Sequence, residues 1–313
     1  MKIVSLFSGA GGMDLGFKLA GHEIIWANEN DPDCCETYKN NIGDHIVLAD
    51  IEEVKSSQIP DSDIIIGGFP CQGFSRANLK RSKNDKRNQL YLEFVRILQE
   101  KKPKYFVAEN VRGLLSLDGG QVINMIIDDF SKVGYNVKYK LFNTADYGVP
   151  QNRHRVIIIG CRKDLNENFI YNFPTPTHVE NPNLFNNEKS WISIGKALKD
   201  IPEPEEDPDV VNHIYSKYKI TNRDFTGHRK MNPDKPSPTV LARGNGGGGV
   251  VALQHPKNHR RLSVRESATI QTFPISFKFF GSMSSMYRQV GNAVPVLFAK
   301  KIAEEFLNIE EKH

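Results

Sequence analysis

The sequence predicts an α/β protein in which a mostly parallel, doubly wound sheet with helices on both faces is joined to a smaller, loop-rich lobe. Three observations predict it. Short apolar runs alternate with amphipathic stretches from Lys2 to about residue 160, the rhythm of repeated βαβ units. The first apolar run ends in a glycine-rich turn followed by a helical pattern, the opening of a nucleotide-type βαβ unit. Beyond Pro174 the rhythm fades, and ten of the 17 prolines fall between Pro174 and Pro256. The expected units are 1–173, which holds the sheet, 174–280, which forms the loop-rich lobe, and 281–313, which returns to the first unit.

Lys2 to Leu6 reads as the first strand, Phe7-Ser8-Gly9-Ala10-Gly11-Gly12 as the turn and Met13 to Ala20 as a helix. Glycines there let backbone approach a ligand closely. A second strand, Glu23 to Ala27, runs out at Asn28-Glu29-Asn30, and Asp31-Pro32 supplies an N-cap and first-turn proline for a helix through Asn40. The third strand, His45 to Ala49, closes at Asp50-Ile51. Acids at two successive strand tips suit the ribose hydroxyls and exocyclic amine of an adenosine, and no Walker lysine follows to hold a triphosphate. A nucleoside without phosphates fits better.

Ile64 to Ile66 reads as a buried strand that Gly67-Gly68 terminates, leaving Cys71 at the carboxyl edge, where ligands collect in open α/β sheets. The alternative for a lone cysteine is a small buried thiol. A long polar loop to about Asn88 precedes an amphipathic helix, Gln89 to Lys101, with Leu90, Phe94, Ile97 and Leu98 on one face. The strand Tyr105 to Ala108 ends at Glu109-Asn110-Val111, beside the Cys71 strand. Helix Gln121 to Val133 and strands Val137 to Phe142 and Arg155 to Gly160 complete the pattern. Just before the last of these, alternate residues Gln151, Arg153 and Arg155 share a face. Regularity returns with the capping box Ser263-Val264-Arg265-Glu266, which opens a helix to about Thr272. Gln289 to Pro295 reads as a loop and Val296 to Leu307 as a final helix.

Composition narrows the function classes. With 39% apolar residues and a mean hydropathy of −0.45, no run approaches the ~18 residues a membrane helix needs, so a cytoplasmic protein is expected; a monomer is expected as well. The four cysteines form no CxxC pair and no His/Cys cluster, which argues against a disulfide framework or a zinc site. Net charge is +4 but uneven. Arg76, Lys80, Arg81, Lys83, Lys86 and Arg87 form one basic cluster and Lys257, Arg260, Arg261 and Arg265 a second, both suited to phosphate contacts. The acidic run Glu203 to Asp209 is expected to be solvated surface.

In this order, Phe7 to Gly12, Pro70-Cys71-Gln72, Glu109-Asn110-Val111, Gln151 to Arg155, Arg261 to Pro274 and Gly291-Asn292-Ala293-Val294-Pro295 resemble the DNA cytosine-5 methyltransferases of prokaryotic or phage restriction-modification systems. The resemblance implies a Rossmann-like methyltransferase sheet with S-adenosylmethionine as donor, S-adenosylhomocysteine as product, and a cytosine flipped out of double-stranded DNA as acceptor. It makes Cys71 the nucleophile at ring carbon 6, because carbon 5 is unreactive until a thiolate turns the ring into an enamine. Glu109 would then act at ring nitrogen 3 and Arg155 at the base's carbonyl oxygen, with Arg153 supporting the loop or a phosphate. Phe7, Gly9, Gly12, Glu29, Asp50, Ile51, Pro70, Leu90, Asn292 and Val294 would line the donor site. Asn30 departs from the pattern, standing where many relatives carry an aromatic residue.

DNA contacts implied are Arg76, Lys80, Arg81 and Arg87 on a basic lid, Thr239 and Arg243 in the variable recognition region, and Arg261. A partner restriction endonuclease is also implied. Alternatives are a tRNA cytosine-5 methyltransferase, against which the substantial recognition lobe argues, and a non-catalytic DNA-binding relative, against which Cys71, Glu109 and Arg155 argue.

Overall fold

Seven strands make the central sheet of the computed structural model, which describes residues 1–69, 86–165, 171–183, 188–217, 229–242, 253–257 and 260–310. They are β1 (Lys2–Leu6), β2 (Glu23–Glu29), β3 (Ile46–Leu48), β4 (Ile64–Gly67), β5 (Tyr105–Val111), β6 (Tyr135–Asn143) and β7 (His154–Arg162). Their order is β3-β2-β1-β4-β5-β7-β6. The first five pair in parallel, and β7 runs antiparallel to both of its neighbours. The order reverses between β1 and β4, so the loops leaving these strands diverge and open a crevice at their carboxyl ends.

Successive residues of the central strands serve opposite faces. Val4, Leu6, Ile65, Phe106 and Ile158 pack with Phe94, Ile97 and Leu98 of α3 (Lys86–Lys101) and Val122, Ile126 and Phe130 of α4 (Gln121–Lys132). Ile3, Ile64, Ile66, Val107 and Ile159 pack with Phe17 of α1 (Gly12–Leu19) and Phe298, Ile302 and Phe306 of α8 (Val296–Glu310). Burial on both faces is why these strands read as continuous apolar runs instead of alternating ones.

The loop-rich region contributes short pairings: His178–Val179 with Lys189–Ser190, Arg229–Lys230 with Leu253–Gln254, and Ser237–Pro238 with Gln151–Asn152. A third apolar cluster joins it to the sheet unit. Ile194 of α5 (Ile194–Ala197), Met231, Val240 and Val264, Ala268 and Ile270 of α6 (Val264–Ile270) meet Cys35 and Tyr38 of α2 (Pro32–Asn41) and Met286, Tyr287 and Val290 of α7 (Met283–Asn292).

The structure corrects the expected loop at Gln289 to Pro295, most of which is the last turn of α7 and the short link to α8. Ser282 caps α7 by accepting from the Ser285 N–H. The helix escapes a pattern search because buried Gln289 interrupts its apolar stripe. That glutamine is paired, accepting from Thr37 Oγ1 at 2.7 Å and donating to the Phe280 carbonyl at 2.8 Å. The capping box at Ser263 and Glu266 forms as the sequence indicates.

Candidate active site

The crevice at the carboxyl ends of β1, β2, β4 and β5 is a cavity of about 500 Å³. Phe7 through Ala10 and Gly12 form its floor, Glu29, Asn30, Asp50 and Ile51 one wall, Gly67, Gly68, Leu90, Glu109, Arg153 and Arg155 another, and Gly291 through Val294 its rim. Two left-handed glycines, Gly9 at φ +54° and Gly11 at φ +82°, shape the turn, and Phe7 adopts φ +54° without being glycine. Such a conformation stores about 1–3 kcal/mol of strain and is held only where surrounding contacts enforce it. A Cβ on Gly12 would stand 2.5 Å from the Val294 carbonyl oxygen, so the α7–α8 link lies directly against the turn.

Glu29 accepts from the N–H groups of Gly9 at 2.8 Å, Asn30 at 3.0 Å and Asp31 at 3.1 Å. Burial pushes its carboxyl above the ordinary range, while these donors pull it back. At the tip of the adjoining strand, Asn30 Nδ2 donates to Asp50 Oδ1 at 2.7 Å. The donor set fits a nucleoside: two carboxylates on neighbouring strand tips beside a glycine cradle that a side chain would fill. Sequence reasoning missed Asp14, which is fully buried beneath the turn and accepts from Tyr38 Oη at 2.8 Å. Burial raises its carboxyl to about 6. Its only sequence signal is a charge on an otherwise apolar helix face.

Across the crevice, Arg155 Nε lies 2.6 Å from Glu109 Oε1, an ion pair and not an aligned hydrogen bond, while Arg155 Nη1 donates to the His154 carbonyl at 2.8 Å. A Cβ on Gly68 would sit 3.2 Å from Glu109 Oε2, so the absent side chain makes room for the carboxylate. Asn110 Nδ2 donates to the Phe69 carbonyl at 3.0 Å and ties the end of β5 to the residue that precedes Pro70 in the chain. Pro70, Cys71, Arg76, Lys80, Arg81 and Arg243, together with the side chain of Arg87, lie outside the described residues.

Arg153 is 1% exposed and donates to the carbonyls of Val240 and Gly291, each at 3.0 Å. Burial and then the nearby Arg155 work against its charge. It is an interior tie, not a phosphate contact. The three arginines of the second basic cluster are corrected in the same way, while Lys257 stays exposed and pairs with Glu203 at 3.4 Å. Arg261 is 2% exposed, and Arg265 is fully buried and bonds the carbonyls of Val211, Pro274 and Phe277. Arg260 makes a two-pronged pair with Glu266 at 2.7 and 2.8 Å and reaches Glu203 at 2.9 Å. The acidic run is therefore partly an anchor: Glu203 holds Arg260, and Glu205 accepts from Tyr215 Oη at 2.9 Å. Only burial could have revealed this, since a charge reads the same in sequence wherever its partner lies. Thr239 donates to the Asn152 carbonyl at 2.8 Å.

Comparisons with known proteins identify the family. The family model described as C-5 cytosine-specific DNA methylase matches residues 1–308. The chain is 41% identical to the Type II methyltransferase M.FnuDI of Fusobacterium nucleatum, over 99% of this chain and 96% of that one. Identity is 39% to the Type II methyltransferase M.NgoFVII of Neisseria gonorrhoeae, over 98% of this chain and 87% of the relative. In fold it resembles the Entamoeba histolytica methyltransferase EhMeth, with a TM-score of 0.71, 18% identity and coverage of 99% and 98%. It also resembles the S. pombe Dnmt2 methyltransferase, with a TM-score of 0.69, 19% identity and coverage of 100% and 99%.

Proposed function

The chain belongs to the C-5 cytosine-specific DNA methylases and is a DNA (cytosine-5-)-methyltransferase, and we propose that it draws its methyl group from S-adenosylmethionine held in the crevice and works through Cys71. The donor supplies an electrophilic methyl on a sulfonium, leaving S-adenosylhomocysteine. Glu29 would receive the ribose hydroxyls and Asp50 the adenine amine, with Phe7, Gly9, Gly12, Ile51, Pro70, Leu90, Asn292 and Val294 around them. The observation that carries the reading is the Glu109–Arg155 pair, facing the donor pocket beside the anchored approach to Cys71.

Cys71 reacts as the thiolate. Its lone pair forms the bond to carbon 6, and the carbon 5–carbon 6 π pair moves into the enamine. Glu109 can hydrogen-bond ring nitrogen 3 and pass a proton to it, and Arg155 both orients Glu109 and holds the base's carbonyl oxygen. Carbon 5 can then take the methyl group. Water takes the carbon 5 proton as the carbon 6–sulfur bond breaks and the Cys71 thiolate departs, and ring nitrogen 3 returns its proton to Glu109, which restores the ring. The target must leave the stack for both faces to be reached, at a cost of a few kcal/mol, so DNA-facing side chains are needed. Arg76, Lys80, Arg81 and Arg87 would serve at phosphates, and Thr239 and Arg243 in the recognition lobe.

The protein acts as a monomer on duplex DNA and guards it against a restriction endonuclease, a role supported by the Type II names of its relatives. Labelled S-adenosylmethionine should label duplex DNA, and Cys71→Ala should abolish that labelling. Labelling of tRNA alone, or full activity in the variant, overturns the reading. Bisulfite sequencing of DNA from expressing cells should show one short methylated site, and a nuclease cutting that site should fail on such DNA.

A further inference from the structure

A buried chain of amides runs between the recognition lobe and the donor crevice, and its direction is fixed at both ends. Gln271 Nε2 donates to two main-chain carbonyls at the end of α7, Val290 at 2.7 Å and Ala293 at 3.0 Å. Carbonyls only accept, so this end of the side chain must be its nitrogen, and Gln271 Oε1 faces the other way. That oxygen accepts from Gln151 Nε2 at 2.7 Å, which leaves Gln151 Oε1 to accept from the Val240 N–H at 2.9 Å. Flipping either amide would set like against like at both of its ends. Both glutamines are 0% exposed, so water cannot replace a lost partner.

Arg153 takes the other pole of the same residue, joining the Val240 carbonyl to that of Gly291. Both polar main-chain groups of Val240 are thus tied to residues 290–293, the carbonyl through Arg153 alone and the N–H through Gln151 and Gln271 in series. Those residues lead into the Val294 carbonyl that rests on Gly12 in the donor turn. Val240 itself lies next to Thr239, within the stretch that the proposed function assigns to DNA reading.

We propose that Gln151 and Gln271 are positioning residues that couple duplex recognition to donor binding: they hold residues 237–241 and 290–294 in one mutual arrangement, so that filling either site organises the other. The proposal rests on the reading of the crevice as donor site and of the lobe as DNA-facing. Thermodynamic reciprocity requires the same factor in both directions.

The test uses S-adenosylhomocysteine as probe and an unmethylated duplex that the wild-type enzyme demonstrably methylates. The Kd for S-adenosylhomocysteine should fall about tenfold when the duplex is present, a typical coupling between sites. In Gln151→Met and Gln271→Met the ratio should approach one, and the double variant should be no worse than either, because the chain is broken once. A merely structural role would lower thermal stability and leave the ratio intact. Amide exchange on the wild-type protein supplies an arm that needs no variant: S-adenosylhomocysteine alone should slow exchange in residues 237–242. The inference is overturned if the wild-type ratio is one, if both variants keep the wild-type ratio, or if the probe slows residues 7–12 while leaving 237–242 unchanged. A wild-type enzyme that methylates no DNA would instead defeat the functional reading.

Discussion

Asn30 stands where the family pattern expects an aromatic ring, and it orients Asp50 through a 2.7 Å hydrogen bond. Asn30→Ala should therefore weaken S-adenosylhomocysteine binding about 2- to 10-fold, the worth of one net hydrogen bond, as titration calorimetry would show. Glu109→Gln keeps the shape of the carboxyl but loses its acidity and its pairing with Arg155; single-turnover methylation should slow by about 10²–10⁴-fold. Asp14 makes a prediction about pH. Its folded value of about 6 stands above the ordinary 3.8, so the folded state holds a proton that the unfolded chain releases across that interval. Stability is favoured below pH 4 and lost as pH rises toward 6, by up to ~3 kcal/mol at ~1.4 kcal/mol per unit. Asp14→Asn, which can still accept from Tyr38, should raise the urea midpoint relative to wild type at pH 7 and leave it nearly unchanged at pH 4.

Helices α1 and α8 come together where α1 offers Gly16. A Cβ there would lie 2.4 Å from the Ala299 Cβ and 2.7 Å from the Lys300 nitrogen, so Gly16→Ala must push the helices apart. A loss of about 1–3 kcal/mol in denaturant unfolding is expected, with the crevice residues untouched. The elements legible in the sequence were those whose burial leaves a local mark. Continuous apolar runs gave away the strands buried on both faces, and Ser263 with Glu266 announced α6. The crevice was legible for the same reason, since Glu29, Asp50 and Glu109 sit at or just beyond strand ends that the runs locate. Helix α7 was not, because buried Gln289 is satisfied by the Phe280 carbonyl and by Thr37, a partner far away along the chain. Arg260 and Arg265 misled for a related reason: a guanidinium inside a protein looks like one at the surface until Glu266 or a set of carbonyls is found beside it.

Across the whole molecule, two apolar clusters flank the sheet and a third runs from Cys35 and Tyr38 through Met231 and Val240 to α6 and α7. Among the described residues, the loop-rich region thus shares its core with the sheet unit and does not own one. Calorimetry should accordingly show a single unfolding transition, and a second, separable transition for the lobe would contradict this. No helix among the described residues is long and apolar enough to cross a membrane. The meeting of Gly12 with Val294, and of α1 with α8, also sets an order of events in time. The turn that cradles the donor is made well before the wall that closes it, which comes only with α7 and the link to α8. A nascent chain holds the β1–β4 crevice open on one side until those two helices arrive, and such distant pairings form slowly. A chain truncated before α7 should therefore keep half a pocket and fail to bind S-adenosylhomocysteine, as titration calorimetry would show.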